Sequence, residues 1–97
     1  MSHLSEVDPR LEAVKAFWPQ FHVKRAWVFG SRARKDGSSE SDWDFLVDFE
    51  SKPGFGSFMG LKCRLEDALN AKVDLLSLSA CKKSFLNAIQ KDLVDVS

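Results

Sequence analysis

A surplus of charge is the first thing this sequence does not have. Fourteen Lys and Arg are matched by fourteen Asp and Glu, so there is no general field to hold a nucleic-acid backbone nonspecifically, and a polymer partner is disfavoured. Cysteine is scarce as well. Cys63 and Cys81 are the two in the chain, they form no CxxC pair, and neither sits near a His at zinc-site spacing, which leaves reduced, half-buried thiols as the expectation. No stretch approaches membrane-spanning length, and MSHLSEVDPR lacks a basic region followed by an apolar run. Neither a span nor a leader is therefore expected, and the default location is the cytoplasm. Internal repeats, low-complexity tracts and linkers are missing too. What remains is a chain of 97 residues, 44% hydrophobic, with three Trp and eight Phe. That composition suits one domain spanning 1–97, ordered nearly throughout around one core and too short for several separate functional modules.

Asp8-Pro9 reads as an N-cap and first helical residue, followed at helical spacing by Leu11, Val14, Phe17, Trp18 and Phe21, which predicts a helix from Pro9 to about Trp18 that Pro19 ends or kinks. Arg25 to Phe29 reads as a short buried strand broken by Gly30. Ser31 to Lys35 reads as a helical turn, and Asp36-Gly37-Ser38-Ser39 as a polar loop. A second strand is expected over Asp42 to Phe49, with Asp42, Asp44, Leu46 and Asp48 on one face and Trp43, Phe45, Val47 and Phe49 on the other. Phe58, Leu61, Leu65, Ala68 and Leu69 stripe a helix ending near Asn70, and Val73 to Leu78 makes a third strand. A last helix, about Cys81 to Lys91, is expected to give Phe85, Leu86 and Ile89 to the core, and Leu93 to Val96 forms a short strand or frays. This order predicts a small α/β fold, a mixed sheet flanked by helices.

Gly30-Ser31, followed after ten intervening residues by Asp42-Trp43-Asp44, is the informative pattern. These four residue types at this spacing are expected by chance in roughly one chain of this length in a thousand. Gly30 permits positive φ and close backbone approach, and Ser31 opens a turn whose N–H groups and hydroxyl can meet phosphates. Of Arg32 and Arg34, one can reach phosphate oxygens while the other pairs with an acid. Asp42 and Asp44, two apart on a strand, leave the same face with Cα atoms about 6.6 Å apart. That suits joint ligation of Mg²⁺, two ions of which can clamp an in-line phosphoryl displacement. Asp74, between Val73 and Leu75 on an adjacent strand, is the best third carboxylate, because an acid amid apolar strand residues is costly to bury without a cation or hydrogen bonds. Three such acids repel when metal is absent, so at least one is expected to hold its proton above the usual range. Asp48, about 13 Å of strand from Asp44, reads as a solvated strand-end acid. His3, His22, Asp36, Glu40 and Glu50 fit loop or surface positions, and Lys62 and Arg64 fit an exposed helix face.

WVFGSRAR, SDWDFLVDF, FMGLKCRLEDALN and KVDLLS fall in the order and spacing of a known family. The chain resembles a minimal nucleotidyltransferase, of the small antitoxin-like branch of the DNA polymerase beta-like superfamily, over nearly its whole length. The resemblance implies that Gly30 and Ser31 hold a triphosphate, that Asp42, Asp44 and Asp74 bind divalent metal, and that Asp74 helps deprotonate the acceptor hydroxyl. It also implies a partner, a HEPN-domain RNase toxin, onto a tyrosine of which AMP is transferred from ATP. Three positions depart from the pattern: Lys35 stands where a glycine often follows the Ala-Arg pair, Asn70 replaces the glycine usual before the third strand, and Trp43 replaces an aliphatic residue between the acids. Trp43 points to the core face, so altered packing and intact chemistry are expected.

Two other readings compete. A noncatalytic antitoxin would neutralise a toxin by covering its surface; in either case an oligomer or hetero-complex could use faces around Phe55 and Phe58, although aromatic residues are more often simply core. A small-molecule nucleotidyltransferase would need an acceptor-binding domain for which the chain has no room.

Overall fold

A computed structural model describes residues 10–30 and 42–97. The expected helix start at Asp8-Pro9 and the segment from Ser31 to Ser41, with its turn and loop, lie outside the described residues.

The leading apolar stripe folds as two short helices, α1 (Arg10–Val14) and α2 (Phe17–Gln20). The break falls at Lys15 and Ala16, four residues ahead of Pro19. A proline ring inside a helix collides with the carbonyl four residues back, here that of Lys15. The Lys15 carbonyl instead accepts the Trp18 N–H, three residues on, at 3.3 Å. Pro19 itself stays within α2, so the single helix expected to reach Trp18 is interrupted upstream of where the sequence suggested.

His22, at φ +57°, turns the chain into β1 (Val23–Phe29). β1 pairs antiparallel with β2 (Trp43–Phe49) on one side and with β4 (Val94–Asp95) on the other, while β2 pairs parallel with β3 (Val73–Ser77). The sheet order is β3-β2-β1-β4. Parallel neighbours need a crossover, and α3 (Phe55–Leu69) provides it. Its Leu61, Leu65 and Leu69, four residues apart and so on one face, are fully buried. The helix stops at Asn70, which adopts the left-handed conformation at φ 51° and ψ 45°. Asn accepts that geometry better than most non-glycine residues, so the glycine missing here is replaced without loss of the turn.

Strand alternation sorts the sheet as the sequence predicted. Ala26, Val28, Trp43, Phe45, Val47, Val73 and Leu75 face the core, against Leu11, Val14, Trp18 and the leucines of α3. The Trp18 ring meets Phe45 edge-on at 6.2 Å, and its Nε1 donates to the Val96 carbonyl at 3.0 Å, which ties the end of the chain to the core. Trp43 stacks on Phe45 at 6.1 Å, on the core side as expected.

The last helix does not do what its periodicity suggested. After a 3₁₀ turn at Leu78–Ala80, α4 (Lys83–Ile89) buries none of its residues. Phe85 instead packs edge-on against Phe29 at 6.0 Å, on the sheet face that carries the buried Phe29 and Leu46. That second face is apolar along its middle, so a short helix finds partners there without entering the core. Among the described residues no helix is long and apolar enough to cross a membrane.

Candidate active site

The second face also carries the acids, at the edge where β2 and β3 begin. Phe29 is the register partner of Asp44 on β2, and Asp44 is the partner of Asp74 on β3. Directly paired residues of neighbouring strands share a face, so the end of β1 and both carboxylates form one line across three strands. Gly30 follows Phe29 at φ +79°, and a Cβ built on it would collide with Oδ2 of Asp44. Glycine is required here on two counts: its backbone angle, and the carboxylate that occupies the space a side chain would take.

The three acids differ in setting. Asp44 is half-buried, whereas Asp42, just ahead of β2, and Asp74 are exposed. The expectation that Asp74 is buried among apolar neighbours is therefore wrong: alternation turns Val73 and Leu75 into the core and Asp74 out to solvent. Burial pushes the Asp44 carboxyl above the ordinary carboxylate range, and the charge of Asp74, a hydrogen bond with Asp74 and the charge of Asp42 push it further the same way. Clustering does raise one carboxyl, as anticipated, but desolvation is the larger cause.

Among the described residues no three acid, His or Cys side chains converge into a metal cage. The donor set still fits Mg²⁺, which is usually held by one or two carboxylates together with substrate phosphates and water instead of by an all-protein cage. Asp44 and Asp74 are paired across neighbouring strands, and after burial it is Asp74 that pushes the Asp44 carboxyl up, an arrangement of like groups that a shared proton or a cation relieves. Of the phosphate-binding residues expected, Gly30 lies beside Asp44, while Ser31, Arg32 and Arg34 lie outside the described residues.

Two neighbours behave as surface groups. Asp48 pairs with Lys24 at 3.7 Å, at the far end of β2, and Glu50 is exposed. One contact near the acids was not read from the sequence. Glu66 accepts the Val73 N–H and a proton of Lys62, each at 3.1 Å. The spacing of Lys62 and Glu66 signals a helix-surface pair, but nothing in it announces the bond to β3.

Comparison with known proteins finds relatives by sequence and by fold. The family model described as polymerase beta, nucleotidyltransferase matches residues 12–94. Protein adenylyltransferase MntA of Thermococcus cleftensis is 35% identical over 97 residues, covering 99% of this chain and 98% of that protein. A solved structure described as a candidate minimal nucleotidyltransferase superposes with a TM-score of 0.80 at 29% identity, over 96% of this chain and 95% of that one. A crystal structure of a toxin-antitoxin with AMP-PNP shares the fold, with a TM-score of 0.78 at 17% identity over 90% of this chain and 72% of that one.

Proposed function

The chain belongs to the polymerase beta, nucleotidyltransferase family, and from that membership we propose that it is a protein adenylyltransferase acting as an antitoxin. It transfers AMP from ATP to a tyrosine hydroxyl of a HEPN-domain RNase toxin. The observation that carries the reading is the facing of Asp44 by Asp74 beside Gly30.

In this reading Asp42, Asp44 and Asp74 would hold Mg²⁺, expected as two ions, and the metal would supply neutralisation of phosphate charge. Gly30 lets the backbone approach the triphosphate, and Ser31 with Arg32 or Arg34 completes its cradle. Asp74 is exposed on a strand at the sheet edge, where a large acceptor can reach it, and it takes the proton of the acceptor hydroxyl. The hydroxyl oxygen then bonds to the α-phosphorus as the bond to pyrophosphate breaks, leaving the acceptor as its AMP ester. Half-buried Asp44 lies in the space beside Gly30 that a side chain would otherwise fill, so Gly30 keeps its carboxylate at this edge.

The likeness to MntA and to a toxin-antitoxin of the same fold supports this choice of partner. The test is mass spectrometry of a HEPN toxin incubated with the chain, ATP and Mg²⁺. One or more AMP groups on tyrosine, absent with the D42N/D44N double variant, are expected. Equal neutralisation of the toxin by wild type and double variant, without any mass change, would make the protein a binding antitoxin instead.

A further inference from the structure

Glu66 stands outside the acids discussed so far, yet it is one peptide away from them. Its Oε2 accepts the Val73 N–H at 3.1 Å. The other edge of that same peptide group, the Lys72 carbonyl, accepts the Trp43 N–H at 3.0 Å. Val73 is the register partner of Trp43, and the next pair is Asp74 with Asp44. One peptide plane is thus gripped from both sides immediately ahead of the two carboxylates.

The grip comes from a rigid element. Leu65 and Leu69, either side of Glu66 on α3, are fully buried. The Glu66 carbonyl also accepts the N–H groups of Asn70 and Ala71, so this residue organises the whole turn from α3 into β3. The Val73 N–H bond, then the bond from Lys62, hold the Glu66 carboxyl below its ordinary range, and it is charged at neutral pH. A charged acceptor makes a hydrogen bond roughly twice as strong as a neutral one. Among the described residues β3 is an edge strand of the sheet and its outward N–H groups meet no further strand, so an acceptor there decides how firmly the strand start is held.

We propose that Glu66 is a positioning residue for the reacting carboxylates: by clamping the Lys72–Val73 peptide against β2, it holds Asp74 in register opposite Asp44. The proposal rests on the reading of that pair as the reacting centre. It acts through the backbone and touches neither substrate nor metal.

The test uses the full chain with E66A, E66Q, E66D and K62A, and three readouts: hydrogen exchange at the Trp43 amide, Mn²⁺ binding without nucleotide, and kcat against KM for ATP. Loss of a group that orients metal ligands typically costs 10–100-fold, so E66A is expected to weaken Mn²⁺ binding and lower kcat by about tenfold or more, with KM changed less than about threefold. Its Trp43 amide should exchange faster. E66Q keeps an acceptor oxygen and should recover to within about threefold of wild type, and K62A should match wild type. Unchanged exchange and Mn²⁺ affinity in folded E66A would overturn the proposal, as would E66Q falling as far as E66A. Should E66A not fold, E66D decides: one methylene shorter, it should lose affinity that E66Q keeps, and equal affinities would refute the clamp. Wild type that transfers no nucleotide, with the exchange and Mn²⁺ effects intact, would leave the clamp standing and sink the enzymatic reading.

Discussion

Substituting Gly30 separates two demands that one glycine meets at once. At φ +79° an alanine pays about 1–2 kcal/mol for a left-handed backbone. For a domain of this size that lowers the melting temperature by about 4–8 °C per kcal/mol. The second demand is steric: any Cβ meets Asp44 Oδ2. That atom is the tip of a side chain, so the collision relaxes by turning the carboxylate away and costs little further stability. What it costs is placement, and a misplacement of about 1 Å can lower a rate by about 10²-fold. G30A should therefore melt measurably lower and lose about 10²-fold in nucleotidyl transfer. G30N distinguishes the two effects, because Asn is several-fold enriched at positive φ but still carries a Cβ. It should melt closer to wild type than G30A does, yet lose transfer as severely. Calorimetry and an initial-rate assay on the three proteins are sufficient. G30N with wild-type transfer would refute the claim that the space beside Asp44 is what Gly30 protects.

Asp44, whose carboxyl is raised by burial, then Asp74 and Asp42, weakens the metal-free fold once ionised: its stabilising contribution is present below the ordinary value of 3.8 and lost as pH rises through the folded-state value. D44N should accordingly melt higher than wild type at neutral pH without metal, by a margin that closes below that value, and Mg²⁺ should raise the melting temperature of wild type more than that of D44N. Leu65, fully buried at the centre of the α3 stripe, predicts a loss of about 2–5 kcal/mol for L65A, read from urea unfolding at unchanged slope. Asn70 in its left-handed cap predicts that N70A loses about 1 kcal/mol whereas N70G is neutral or better, checked by the same unfolding series.

β2 was legible because its period of two is unbroken: Trp43, Phe45 and Val47 alternate with Asp44, Leu46 and Asp48, and only one face can be the core. The neighbourhood of Asp44 and Asp74 was legible in outline, because each acid was read on a strand and the two strands as adjacent, but the register that pairs them is set by the sheet. Other features depend on partners distant in sequence. Phe85, Leu86 and Ile89 carry a helical apolar period, but period does not say which side of a sheet a helix takes, and α4 took the face of Phe29. The burial assigned to Asp74 followed from its neighbours' hydrophobicity and ignored that alternation sends it the other way. The Lys15 break follows from proline sterics acting four residues upstream, a distance that reading Pro19 as a terminator overlooks. Glu66 was invisible because a backbone N–H seven residues away, brought back by the turn at Asn70, is its partner.

The central claim, that the edge formed by Gly30, Asp44 and Asp74 transfers a nucleotide and not a phosphate, is tested most directly by the position of the label. Parallel reactions with ATP labelled at the α- or the γ-phosphorus, each with wild type and D44N and a HEPN toxin as acceptor, give the answer in one gel. The account predicts α-label on the toxin, γ-label released as pyrophosphate, and loss of transfer in D44N. Label carried from the γ-position, or α-label transferred equally well by D44N, would contradict it.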